Sequence, residues 1–277
     1  MFNFLAAHPD VCMSTPKETH YFERYETFDP AYFWKTFYGR CDGEKLVGEA
    51  TPSNLYVPYV AGRIRAVFPK ARLIAILRDP VARAFSHWWM RYAEGTEKLW
   101  FEDALESNLR QLEGGLIHER PDAEAIWRDH MAGRSLGEMR WRPYLDAGYY
   151  AAEIRRFQAL FGADALLILF TESLRSDPAA TMTRVWKHVG LPEPDDADYS
   201  ASPNEALSYR GSTLYRTVKD KAILKVIPRT MKLSVRAWAS RGEKPRLEPE
   251  TEAWLTEFYR AWNDELTELL GERPPWR

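Results

Sequence analysis

The segment Leu73-Ile74-Ala75-Ile76-Leu77-Arg78-Asp79-Pro80-Val81-Ala82-Arg83-Ala84-Phe85-Ser86 joins an apolar run directly to a capped helix. An apolar run of this length, ended by polar residues and proline, reads as a buried parallel strand. Asp79 is a good N-cap, and Pro80 suits the first helical position because proline has no amide hydrogen to leave unpaired. The chain therefore turns at Arg78. In open α/β sheets ligands gather beyond the carboxyl ends of strands, and the free amides of a following helix attract negative charge. Arg78 adds a permanent, forked cation there, with Ser86 eight positions further on.

The remainder alternates in the same way. Residues 1–5 read as a helix, and Tyr32, Phe33, Trp34, Phe37 and Tyr38 mark another one packed on the core. Residues 45–50 read as a short strand, 55–67 as a helix and 72–77 as the strand described above. Val81, Ala84, Phe85, Trp88 and Tyr92 recur at helical spacing, which makes that stripe core. Ile154, Phe157, Leu160 and Phe161 line a helix stopped by Gly162, and residues 166–170 form a further buried strand. Asp177-Pro178 starts a helix that Gly190 ends. Glu248-Pro249 opens a last long helix with Leu255, Phe258, Trp262, Leu266 and Leu269 inward. A 277-residue chain that is 45% hydrophobic can bury one substantial core, so residues 1–277 are predicted to be one α/β domain with a central, mainly parallel sheet flanked by helices. Glycines bracket a polar stretch, residues 114–140, which reads as a mobile loop or lid near the substrate.

The net charge of −2 hides an asymmetry. Residues 210–246 carry eleven basic and two acidic side chains, leaving about −11 for the rest. Apolar residues punctuate these cations, so the segment reads as basic and amphipathic: a solvated face around an anionic cofactor site, or a peripheral contact with anionic lipid. One basic strip without aromatic platforms or a reading motif argues against nucleic acid as a partner. Cys12 and Cys41 are too few for a disulfide framework and lack metal-ligand spacing. They are expected to be packing residues in a reducing, cytoplasmic setting. No run of eighteen apolar residues and no secretory leader appears. The six histidines show no paired ligand spacing with carboxylates, so no metal is expected.

The segment from Arg78 to Ser86 resembles the 3′-phosphate-binding motif of sulfotransferases that use 3′-phosphoadenosine 5′-phosphosulfate (PAPS), in which an Arg and a Ser eight positions later hold that phosphate. The resemblance extends to His8-Pro9-Asp10-Val11, Pro16-Lys17-Glu18-Thr19-His20-Tyr21-Phe22, Gly48-Glu49-Ala50-Thr51-Pro52-Ser53 and Gly148-Tyr149-Tyr150, and covers most of the chain. It implies a P-loop-NTPase-like sulfotransferase fold and PAPS as co-substrate, with no metal. By similarity to the heparan-type branch, Glu18 is implied as general base. His20 is the runner-up, since imidazole titrates near neutrality. Lys17 is implied to stabilise charge on the transferred group. Arg241, Lys244 and Arg246 fall where relatives carry a basic loop over the 3′-phosphate. The implied acceptor is a small molecule, a carbohydrate or a lipid.

One departure stands out. Family members begin with a strand and a Gly-rich loop that holds the 5′-phosphosulfate, and neither precedes residues 1–5 here. Three readings follow: a PAPS-dependent sulfotransferase whose record starts downstream of that loop, a catalytically impaired nucleotide-binding relative, or a P-loop-related phosphotransferase with a truncated N-terminus.

Overall fold

The computed structural model describes residues 1–132, 141–199 and 244–276. α1 (Phe2–Ala6) leads to β1 (Val11–Met13), α2 (Tyr21–Arg24) and α3 (Pro30–Phe37). Then come β2 (Leu46–Gly48), α4 (Ser53–Tyr56), α5 (Val60–Val67), β3 (Leu73–Leu77) and α6 (Pro80–Ala93). α7 (Phe101–Leu112), α8 (Ala123–Met131), α9 (Tyr150–Phe161), β4 (Leu166–Phe170), α10 (Thr171–Ser176), α11 (Pro178–Val189) and α12 (Pro249–Leu270) complete the described elements.

The predicted α/β class holds, with parallel strands flanked by helices. β1 pairs with β2, setting Cys12 opposite Val47; β3 pairs with β4, setting Ala75 opposite Ile168. Among the described residues these are two separate two-stranded ladders, where the sequence predicts one central sheet. Within each parallel pair the carboxyl ends lie on the same side. Those ends feed Ser14, Glu49, Arg78 and Thr171, so the strands deliver the candidate residues.

Three helices begin with the same local code. Asp29, Asp79 and Asp177 each precede a proline, and each carboxylate accepts from a backbone amide of the first turn, at 2.9–3.0 Å. Such a cap is worth about 1 kcal/mol, and the proline leaves no orphan donor at the first helical position.

Two expectations change. The helix expected over 55–67 is broken between α4 and α5, because Pro58 pushes Val57 into an extended conformation (φ −71°, ψ 118°). The stretch read as a loop over 114–140 contains helix where described: Ile117 lies in a short 3-10 turn, and α8 buries Ile126 and Trp127, with turns between them. Residues 133–140, and most of the basic segment 210–246, lie outside the described residues.

Cys12 and Cys41 form a disulfide with Cα atoms 5.8 Å apart, which corrects the expectation of free packing cysteines. β1 carries one sulfur and the turn after α3 the other, and a sequence separation of 29 gives no hint of it. A formed disulfide belongs to an oxidising compartment, so the basis for a cytoplasmic assignment is removed.

α12 locks the Arg78 turn from behind. Tyr259, fully buried, donates to the carbonyl oxygens of Tyr144 and Leu145 at 3.2 and 2.8 Å. A methyl group on Gly148 would sit 2.8 Å from the Tyr259 ring and 3.0 Å from Pro80, so only glycine lets these elements close. Two residues on from Gly148, Tyr150 donates its hydroxyl to the Arg78 carbonyl at 2.8 Å.

Candidate active site

The first group surrounds Arg78. Its backbone is fixed by the Tyr150 hydrogen bond, by Thr171 Oγ1 donating to the Leu77 carbonyl at 3.0 Å, and by the Asp79 amide donating to Glu172 Oε1 at 3.4 Å. Its guanidinium is half-buried and forms no hydrogen bond or ion pair with a described residue. Burial and then the Arg175 charge lower its pKa, against Glu172 and Asp79. A cation held this way favours an anion brought from outside. Ser86 is part-buried two turns into α6.

Lys244 comes near this group. The residue is exposed, but its Nζ stands 4.8 Å from the centre of the Phe85 ring, and partial desolvation of the amine followed by the Arg78 charge lowers its pKa. Lys244 and Arg78 are thus near enough to repel, at the amino-terminal half of α6. Arg246 is exposed, and no described contact brings it to this group. Arg241 lies outside the described residues. Arg175 and Glu172, which sequence reasoning missed, come from α10, the short helix that directly follows β4.

The second group is the loop leaving β1. Lys17 Nζ lies 3.5 Å from Glu18 Oε1, and His20 Nε2 lies 3.8 Å from Glu18 Oε2. The other imidazole nitrogen, Nδ1, lies 3.1 Å from Oε2 of Glu23, whose side chain is fully buried. Glu23 also accepts from Trp127 Nε1 at 3.2 Å and from the Ser53 hydroxyl. His20 itself sits in the left-handed region, φ 52°. The Glu23 hydrogen bond raises the His20 pKa, burial opposes this, and the Glu23 and Glu18 charges add to the rise. The loop has a second anchor in Glu49, which accepts from Thr19 Oγ1 at 3.0 Å, from Asn54 Nδ2 at 2.9 Å and from the Thr51 hydroxyl. Burial raises the Glu49 pKa against those hydrogen bonds.

The structure therefore brings Lys17, Glu18 and His20 together, places Arg78 at the turn into α6 with Ser86 two turns along that helix, and sets Lys244 over Phe85 of the same helix. Glu23 escaped the sequence reading, although its i, i+3 spacing from His20 on an incipient helix was a usable signal. Among the described residues, metal-ligand spacing occurs at Cys12, Cys41 and Glu44, where the two sulfurs are bonded to each other.

Residues 1–140 match the profile described as the Sulfotransferase family. The chain belongs to this family. It is 28% identical over 284 residues to the bifunctional heparan sulfate N-deacetylase/N-sulfotransferase 4 of Mus musculus, covering 98% of this chain and 28% of that protein. Membrane-associated sulfotransferase kil1 of Dictyostelium discoideum is 32% identical over 132 residues, 46% of this chain and 26% of the relative. Human heparan sulfate glucosamine 3-O-sulfotransferase 3B1 is 26% identical over 194 residues, 69% of this chain and 42% of its own. This family member thus spans between a quarter and under half of these curated relatives. A solved sulfotransferase from Alicyclobacillus acidocaldarius shares the fold, with TM-score 0.65, 20% identity and coverage of 98% of this chain and 90% of that one. No described helix of the chain is long and apolar enough to cross a membrane.

Proposed function

We propose that this chain transfers a sulfuryl group from PAPS to a hydroxyl or amine of a carbohydrate acceptor. The observation that carries this is the half-buried Arg78 guanidinium, unpaired among the described residues, at a strand's carboxyl end with Lys244 near enough to feel its charge. That set suits a phosphate monoester. The fork of Arg78 supplies two parallel donors, Lys244 a second charge and Ser86 a hydroxyl. Names of relatives that refer to heparan sulfate support a sugar as acceptor.

PAPS supplies the activated sulfuryl group, and the chain's own residues manage the proton and the charge. Glu18 is the general base. It is part-exposed, and its two oxygens face Lys17 and His20. His20 is the weaker candidate, because Glu23 and Glu18 favour its protonated form, and an imidazolium has no lone pair left to accept a proton. His20 instead orients Glu18 and keeps a positive charge beside it. Lys17 stabilises negative charge on the transferred group, as fixed cations do in acyl and phosphoryl transfer.

The test incubates the full chain with sulfur-35-labelled PAPS and an unsulfated octasaccharide of alternating glucosamine and glucuronate. Label appearing in the sugar, together with release of adenosine 3′,5′-bisphosphate, supports the reading. Neither product forming at any enzyme concentration refutes it.

A further inference from the structure

An aromatic shelf beside the Glu18 loop takes part in no interaction assigned above. Tyr25 and Tyr32 are 41% and 42% exposed. Each ring packs on that of buried Tyr21, with centroids at 4.8 Å and 6.4 Å and interplanar angles of 27° and 29°, while the two exposed rings are tilted 54° to each other, centroids 5.7 Å apart, and so form a shallow trough rather than a flat plane. Tyr21 is locked in turn, because its hydroxyl accepts from the Asp29 amide at 2.8 Å. The exposed rings are therefore held in place from beneath, while their hydroxyls meet at 3.4 Å at the outer edge.

The shelf is one helical turn from the reactive loop. The Tyr25 amide donates to the Tyr21 carbonyl at 2.9 Å, and Tyr21 follows His20 directly. The charge of exposed Arg24 acts on both His20 and Tyr25.

We propose that Tyr25 and Tyr32 are an acceptor subsite that seats one pyranose ring of a carbohydrate chain, one helical turn from the loop that carries Glu18. This rests on the sulfuryl-transfer reading and names which side chains hold the acceptor. A pyranose presents a face of C–H groups rimmed by hydroxyls. The negative face of a tyrosine ring attracts such C–H groups, and the paired phenols at the edge bond the hydroxyls. Tyrosine gives rigid, amphipathic contact at a small entropy cost, and here Tyr21 holds the rings in advance. The surrounding charge is mixed: Arg24 and Lys35 stand among Glu26 and Asp29. That mixture fits a polyhydroxylated ring better than a strongly anionic lipid surface.

The experiment measures binding of the unsulfated octasaccharide by calorimetry in the full-length wild type and in a Tyr25→Ala/Tyr32→Ala double variant. Binding of adenosine 3′,5′-bisphosphate is measured on the same samples. The double variant should bind the sugar roughly tenfold more weakly, the scale of covering about 55 Å² of apolar ring surface. Nucleotide affinity should be unchanged, and Tyr25→Phe should lose less than the double variant. Circular dichroism melting confirms folding, and Tyr25→Leu with Tyr32→Leu repeats the test should the alanines perturb it. Equal sugar affinity in wild type and variants, or no sugar binding by wild type that binds nucleotide, overturns the subsite. Sugar binding that needs the shelf in a chain that fails to bind nucleotide leaves the subsite standing and removes the sulfotransferase reading instead.

Discussion

Replacing Glu23 by glutamine probes how the reactive loop is held. The wild-type carboxylate collects His20 Nδ1, Trp127 Nε1 and the Ser53 hydroxyl while fully buried. Glu23→Gln keeps the shape, removes the charge and turns one acceptor into a donor facing donors. A hydrogen bond to a charged group is worth about 1.5–3 kcal/mol. The His20 side chain is 25% exposed, so water replaces part of the loss and the lower end of that range applies. The pH dependence gives the sharper test. His20 has a folded pKa raised above 6.5, chiefly by Glu23. Its contribution to stability is therefore complete below its unfolded pKa and fades as pH rises through the folded value. Urea unfolding at about pH 6 should show a larger deficit in Glu23→Gln than at about pH 9. The His20 ring titration, followed by NMR, should move to lower pH in the variant. An equal deficit at both pH values, with an unmoved His20 midpoint, would refute the argument.

Other outcomes follow from the same geometry. Glu18→Gln should lower turnover by roughly 10²–10⁴, the range for loss of a general base, while calorimetry finds nucleotide affinity nearly intact. Reducing the Cys12–Cys41 bridge, or replacing both residues by serine, should cost about 3–4 kcal/mol by the loop-closure estimate for its separation of 29; thermal melts with and without dithiothreitol measure this. Gly148→Ala should drive a methyl against Tyr259 and Pro80, destabilising by about 1–3 kcal/mol and loosening the Arg78 turn, which urea unfolding and nucleotide titration report together.

What the sequence revealed was mostly local. The strand, the Asp79 cap and the Pro80 start are encoded within a few residues, and the observed Asp79 to Val81 hydrogen bond at 3.0 Å is the cap that pattern demands. Lys17, Glu18 and His20 share one short loop, so their meeting needed little tertiary knowledge. Features made by distant contacts stayed hidden. β1 is three residues long and gains its identity only by pairing with β2. The disulfide depends on where α3 releases the chain. Residues 117–131 looked polar, yet Ile117, Ile126 and Trp127 supply buried contacts that a glycine-bracketed polar stretch does not advertise. Tyr259 lies between the inward positions read for the last helix, and became visible only once Gly148 and Pro80 were seen beneath it. Glu23 and Glu49 are ordinary surface carboxylates by composition; burial and convergent donors turn them into anchors.

The central assignment is that Arg78 receives the ribose-borne phosphate of the nucleotide. Calorimetry with adenosine 3′,5′-bisphosphate and with adenosine 5′-monophosphate, on wild type and Arg78→Ala, tests it most directly. The variant should lose about 1.5–3 kcal/mol toward the bisphosphate and almost nothing toward the monophosphate. Equal losses for both nucleotides, or none for either, would contradict it.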